Sequence, residues 1–272
     1  MAYPIVSAPY GFKPVSLIGG QVFAGSTRDY PIQYNYGTAI YYGDFVTTSS
    51  GYTVIATVPV STTNTTTGVF LGCYYTNPTT KQRQYSQYYP GNVTAGDITA
   101  IVGDDPDQVF RCAVTAAAGS TTIASASSIL VGQNMAGNTL TGSASTGNGA
   151  GAVVAATANT SGGGFRVLGL VPDTEISTSA TYVSGTGTTS LVVSGLTVGQ
   201  VLPIGTDVFN LVNGQLQFTG SSLTAATTVT TTGSTTLTVV ASTATVAGTV
   251  ALVQAPEVLV KLNFGAHRYY VA

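Results

Sequence analysis

Residues 258–264 read Val258-Leu259-Val260-Lys261-Leu262-Asn263-Phe264. Val258, Val260, Leu262 and Phe264 alternate there with Leu259, Lys261 and Asn263. A period of two is the pattern of a strand with one buried face. Upstream, Phe165-Arg166-Val167-Leu168-Gly169-Leu170-Val171 reads as a second strand. The rest of the chain agrees with these two segments. Only 7% of its 272 residues are charged, against roughly a quarter in a typical soluble domain. Thr, Ser, Gly, Ala and Val take the place of charge, with 16 Tyr and no Trp. Thr, Val and Tyr suit a pleated, half-buried surface, and Gly marks turns. No stretch carries the i, i+4 pattern of Glu, Lys and Arg expected of a surface helix. Disorder goes with low hydrophobicity and high net charge, whereas 44% of this chain is hydrophobic and its net charge is −2. The fold class expected is all-β.

The chain divides by composition. Residues 1–45 are rich in Pro, Gly and Tyr, and Pro at positions 4, 9, 14 and 31 argues against central strands. An extended N-terminal arm with short edge strands fits, lying either on its own body or on a partner. Val54–Val58 and Val69–Leu71 read as strands flanking a Thr-rich loop around Asn64. Residues 76–92 read as a polar, aromatic loop. Ile98–Val102 and Val109–Val114 read as strands joined by the turn Gly103-Asp104-Asp105-Pro106-Asp107, and residues 119–164 as small-residue loops with short strands. Between Cys112 and Phe165 there is no charged residue, and between Ile176 and Pro256 there is only Asp207. Within 174–255 lie Ser190–Leu196, Val208–Leu211, Gln215–Phe218 and Thr236–Val240, with the hairpin signal Asn213-Gly214 between the second and third. Short strands at this spacing suggest a small sandwich or barrel. Residues 174–255 are therefore expected to form an inserted β module with neighbouring ends, and 1–173 plus 256–272 the body.

Chemistry is sparsely represented. Catalysis needs placed acids, bases or nucleophiles, yet the one histidine, His267, stands beside Arg268 near the C-terminus, and no Gly-x-Ser-x-Gly elbow occurs. No enzyme, catalytic residue or cofactor is expected. The Asp104–Asp107 cluster lacks calcium-loop spacing and reads as a solvated turn. The run Gly147-Asn148-Gly149-Ala150-Gly151 has no following Lys-Ser/Thr and reads as a flexible turn. Cys73 and Cys112 stand outside any metal-ligand spacing. Buried free thiols are the favoured reading, and a disulfide between them stays open. No metal is expected. Eight Lys and Arg against ten Asp and Glu give no phosphate-binding footprint, so nucleic acid is not an expected partner. The N-terminal Met1-Ala2-Tyr3-Pro4 does not read as a signal peptide, and no apolar run approaches membrane-helix length. Synthesis in the cytoplasm as a soluble protein, with no membrane partner, is expected.

Several segments resemble capsid decoration, or cement, proteins of tailed phages, especially cyanophage-like ones. They are Tyr10-Gly11-Phe12-Lys13-Pro14-Val15 with Gly19-Gly20, and Gly68-Val69-Phe70-Leu71-Gly72-Cys73-Tyr74-Tyr75 running into the loop that ends Tyr89-Pro90-Gly91. Further along come Asp104-Asp105-Pro106, Val109-Phe110, Phe165–Val171, and Val258–Asn263 followed by His267. The resemblance covers about 1–173 and 256–272. The residues 174–255 depart from it, since a short connection is expected there. It implies a β-sandwich body, homo-oligomers of trimeric type at local symmetry axes, attachment to the major capsid protein, and a place on the outer surface of the virion. Interfaces are enriched in Tyr and Arg, and the contact residues expected are Tyr34, Tyr36, Tyr41, Tyr42, Tyr74, Tyr75, Arg83, Tyr88 and Tyr89; the alternative for each ring is a place in the protein's own core. Two other roles fit the composition. One is a head-fibre or tail protein that binds a receptor or a host-surface glycan through the module. The other is a cellular adhesin or surface-layer protein, against which the missing export signal argues.

Overall fold

The computed structural model of the chain describes residues 6–56, 66–155, 163–184, 189–240, 246 and 248–263. Met1, Ala2, Tyr3, Pro4, Thr57, Val58, Asn64, Phe264, His267 and Arg268, on which parts of the sequence reading fall, lie outside them.

The chain forms β1 (Lys13–Leu17), β2 (Arg28–Pro31), β3 (Phe45–Ser49), β4 (Tyr52–Ile55), β5 (Gly68–Thr76), β6 (Arg83–Ser86), β7 (Thr99–Gly103) and β8 (Gln108–Thr115). A single 3-10 turn at Ser128–Leu130 precedes β9 (Asn134–Met135), β10 (Gly137–Asn138), β11 (Ala152–Val154) and β12 (Phe165–Leu170). A second turn at Pro172–Thr174 leads into β13 (Ile176–Ser184), β14 (Ser190–Ser194), β15 (Val201–Leu202) and β16 (Asp207–Val212). Then come β17 (Gln215–Ser222), β18 (Thr227–Thr228), β19 (Ser234–Thr238), β20 (Thr249–Gln254) and β21 (Glu257–Leu262). The protein is all-β, with a sandwich-like body.

Two sheets build that body. The first has the order β10-β11-β8-β21-β12-β9, with β1 beside β8; the second has the order β2-β7-β5-β3-β4, with β6 beside β5. Between them lies a core of Phe12, Phe45, Val69, Phe110, Val114, Phe165, Val167, Val258, Val260 and Leu262. The alternating residues of β21 turn into it as their period requires. The two strands quoted first are direct neighbours, with Phe165 opposite Leu262 and Val167 opposite Val260. Phe12 comes from the N-terminal arm, stacks on Phe165 at 4.8 Å and lies 4.3 Å from the Phe45 ring. The described part of the arm therefore lies on its own body. Among the described strands β1 pairs with β8 alone and β2 with β7 alone, and Pro14 and Pro31 sit in these edge strands, where a missing N–H interrupts no ladder.

The second sheet buries its other face too, beneath the loops carrying Ile32, Ile40, Tyr89 and Ile98. A bulge between Phe70 and Gly72 in β5 decides which tyrosine faces this outer core. One extra residue reverses the alternation, so Phe70, Cys73 and Tyr75 point in and Tyr74 points out. Cys73 belongs to the outer core and Cys112 to the core between the sheets, and both thiols are free. Burial pushes the Cys73 thiol up to about 12 and raises that of Cys112 well above its ordinary value.

The third sheet, β17-β16-β20-β13-β14-β19, lies within the segment 174–255. Among the described residues, every strand pairing made by 176–254 is internal to that range. Its core is likewise its own, with Leu191, Val193, Leu202, Val208, Leu237, Val250 and Leu252. Asn213 and Gly214 take φ of 51° and 76° and turn β16 into β17, the two positive values a tight hairpin asks for. Leu170 stands opposite Val258, and Ile176 opposite Gln254, so the chain leaves the body and re-enters it side by side. At the junction the Asp207 carboxylate accepts bonds from the Ser127 hydroxyl and from the Ser128 amide (2.7 Å) and hydroxyl (2.6 Å). The Ser125 amide donates to the Ile204 carbonyl at 2.9 Å.

Two readings are corrected here. The Asp104–Asp107 turn is not simply solvated. Asp104 is buried, accepts the Tyr30 hydroxyl at 2.7 Å and pairs with Arg28 at 3.5 Å, because a buried carboxylate needs donors. The run Gly147–Gly151 is not a free turn either. It packs against Tyr41–Asp44, and a Cβ at Gly149 would lie 2.1 Å from an Asp44 carboxylate oxygen. Gly142, just ahead of it, would put a Cβ 2.5 Å from the Tyr41 ring.

Candidate interaction surface

The tyrosines chosen from the sequence fall into three environments. Tyr89 is 0% exposed and Tyr75 6% exposed. Both fill the outer core of the chain itself, so they leave the contact set. Tyr89 is fixed on both sides. Its hydroxyl donates to the Tyr36 carbonyl at 2.8 Å, and its main chain exchanges bonds with Ile40. Tyr36 packs on the same core, its ring 6.1 Å from that of Tyr89, and its hydroxyl accepts the Ile55 amide.

A second group is half-buried. Tyr41 and Tyr88 stack at 5.5 Å and an interplanar angle of 15°. Tyr42 lies near Lys13, whose ammonium is 5.6 Å from its ring and 5.4 Å from that of Tyr10. Burial raises the Tyr42 hydroxyl. Beneath this group is Asp44, 1% exposed, whose carboxylate accepts the Tyr41 amide at 2.9 Å. Burial drives its carboxyl up to about 7, with the Tyr41 amide opposing. Nearby, Glu257 receives the Tyr10 hydroxyl and the Arg111 guanidinium, tying the start of the chain to β8 and β21. Burial raises the Glu257 carboxyl, but bonds from Arg111, Tyr10 and Thr174 outweigh it and leave it lowered.

The third group is at the surface. Tyr34 is 61% exposed. Half-buried Tyr74 and exposed Arg83 meet Tyr85, absent from the contact set expected from the sequence and 68% exposed. The rings of Tyr74 and Tyr85 are 5.5 Å apart, and the Arg83 guanidinium lies 4.2 Å from the first and 5.5 Å from the second. The Tyr74 hydroxyl donates to Asp29 at 2.8 Å. Asp97 accepts the Thr76 hydroxyl at 2.6 Å and the Thr76 amide at 3.0 Å. Those bonds, aided by the Arg83 charge, lower its carboxyl. The platform exists because 83–86 is a strand and not, as expected, part of a loop: β6 places Tyr85 opposite Tyr74 and Arg83 opposite Thr76. Residues two apart on a strand share a face, so Arg83 and Tyr85 side by side was the signal available.

Among the described residues, no group of three or more His, Cys, Asp or Glu is placed to hold a metal ion, and no helix is long and apolar enough to cross a membrane. Comparison with protein families, with curated proteins and with solved structures finds no match.

Proposed function

We propose that this chain is a structural protein of a tailed-phage virion, a cement protein that binds the outer surface of the capsid and braces joints between major capsid subunits. The observation that carries the reading is the surface platform of exposed Arg83 and Tyr85 on half-buried Tyr74, held on a sheet whose other face is buried. Tyr and Arg dominate the energetically important positions of protein interfaces. A ring offers a large apolar area with little rotamer entropy to lose. Such a surface works by contact area that is lost when the subunits beneath it separate, and it asks for no catalytic group. The order of segments that resembles phage decoration proteins supports the same role, as does a charge content of 7%. In this reading the protein is a trimer on the shell and the module points away from it.

The module's own rings lend little support to a glycan-binding role. Tyr182 packs on the module core, and Phe209 and Phe218 pair with each other at 5.2 Å. The test is to mix the purified protein with expanded shells of its phage assembled without it. Stoichiometric binding and shells that survive higher temperature support the cement role. Binding to host cells and not to shells would replace it with the receptor role.

A further inference from the structure

The edge of β6 has a property that the platform alone does not reveal. β6 pairs with β5 and with no other described strand. Just outside the ladder, the Asn77 amide donates to the Gln82 carbonyl at 2.9 Å. Bonded and non-bonded pairs alternate along an antiparallel ladder. The register Thr76–Arg83, Tyr75–Gln84, Tyr74–Tyr85, Cys73–Ser86 therefore directs the main chains of Gln84 and Ser86 toward β5. The N–H and C=O groups of Arg83 and Tyr85 point outward, along a free edge. Proteins ordinarily blunt such an edge, because it offers itself to another strand. Here the two residues with outward main chains also carry the side chains that meet Tyr74.

The Arg83 guanidinium lies over the Tyr74 ring at 4.2 Å with the Tyr85 ring 5.5 Å away, contacts that restrict its orientation. Among the described residues no carboxylate lies within ion-pair distance of it. The acids on its own face are already engaged, Asp29 by Tyr74 and Asp97 by Thr76. A preorientated guanidinium with open N–H groups is complementary to a carboxylate, which it can take up with two parallel bonds.

The geometry points to β6 as a strand-addition site for an extended, acidic segment of a partner protein. Its main chain pairs with Arg83 and Tyr85, and a Glu or Asp side chain is received by the Arg83 guanidinium. This names the partner chemistry for the platform invoked in the cement reading and rests on that reading for its setting. The site itself stands on β6 alone. Main-chain pairing supplies affinity in such complexes and side-chain pockets supply choice.

Two probes test it. The first is the acetylated and amidated peptide Thr-Glu-Val-Glu-Thr, titrated into the isotope-labelled protein beside its Gln-for-Glu analogue. The Glu peptide should shift the Arg83 and Tyr85 amide resonances saturably and bind about tenfold more tightly than the analogue, the size of one charge-assisted contact. Arg83→Gln should erase that preference and Arg83→Lys restore part of it. Tyr85→Pro, which removes an outward N–H, should abolish binding of both peptides. Equal binding of the two peptides, or no response at these amides, overturns the proposal. The second probe is the empty expanded shell. On binding, amide exchange should slow at Arg83 and Tyr85 and change little at Gln84, which β5 already protects. Shells that bind wild type and Arg83→Gln equally overturn the site while leaving the cement role intact. Shells that bind neither, with the Glu peptide still preferred, overturn the cement role and leave the site.

Discussion

The body and the module reach the same fold class from different materials. The body has two cores that share a sheet, and around them aromatic rings, buried carboxylates and nearly all of the charge. The module has one core of Leu and Val under a Thr- and Ser-rich surface, and Asp207 is the one charged residue of 176–256. That residue is not on the module surface. It is turned into the junction and takes its hydrogen bonds from body serines. The difference teaches that a β module can dispense with surface charge, since strand pairing and apolar burial suffice to hold it. The body instead uses rings and buried carboxylates to fix the loops that cover its sheets.

The largest expected effect separates the body from the module. Phe12→Ala removes a ring stacked on Phe165 and tilted against Phe45, and should cost the body about 3–5 kcal/mol. Hydrogen exchange should then show the body strands opening first while β13, β14 and β20 keep their protection. Simultaneous loss of protection in both would mean that body and module unfold as one unit.

Next in size is the junction. Asp207→Ala leaves the Ser127 hydroxyl and the Ser128 amide without their acceptor and should cost about 1–3 kcal/mol. The effect should appear as faster exchange around Ile204–Val208, with the cores of body and module unchanged. A global loss of protection would show that the module depends on the body for its own fold.

The pH dependence of stability comes third. Burial holds the Asp44 carboxyl up at about 7, against an ordinary value of 3.8. A raised carboxyl means that the folded chain holds a proton which the unfolded chain releases. The stability that this proton confers is complete below the ordinary value and is lost as pH rises through 7. Asp207, raised by burial, and Glu175, raised by burial and by the charge of Asp207, act in the same direction. Lowered Glu257 and Asp97 oppose them only in more acid solution. Lowering pH from 8 to 5 should stabilise the protein, about 2 kcal/mol of it from Asp44, and Asp44→Asn should remove that share. Denaturant titrations of both proteins at the two pH values give the answer, and a gain unchanged in Asp44→Asn would assign it to the junction carboxyls. The smallest effect is expected at the platform. Tyr85→Ala should move stability by no more than about 0.5 kcal/mol, as at an exposed site, while weakening attachment to a partner.

Much of the fold was legible in the sequence, and the reasons are local. The period of Val258, Val260 and Leu262, the edge prolines 14 and 31, and the Asn213-Gly214 turn each act through the residues that carry them. The platform was legible only in part. Tyr74 and Tyr75 are adjacent and chemically alike, and the bulge at Phe70–Gly72, a tertiary feature of the pairing with β7, sends one out and the other in. Tyr89 reads like a surface ring beside Pro90-Gly91, but bonds to Ile40 and Tyr36 draw it inside. β6 has no apolar alternation because it is exposed on both faces, so period alone could not reveal it. The close packing of Gly142 and Gly149 against Tyr41 and Asp44 brings together residues about a hundred positions apart, which no local pattern encodes.

The proposed role is to cover a joint on a capsid. Cryo-electron microscopy of the intact particle tests it most directly. The two-sheet body should lie on the outside of the shell, spanning neighbouring capsid subunits with Tyr74, Arg83 and Tyr85 at the contact. Density for this fold in the tail, inside the shell, or nowhere on the particle would contradict it.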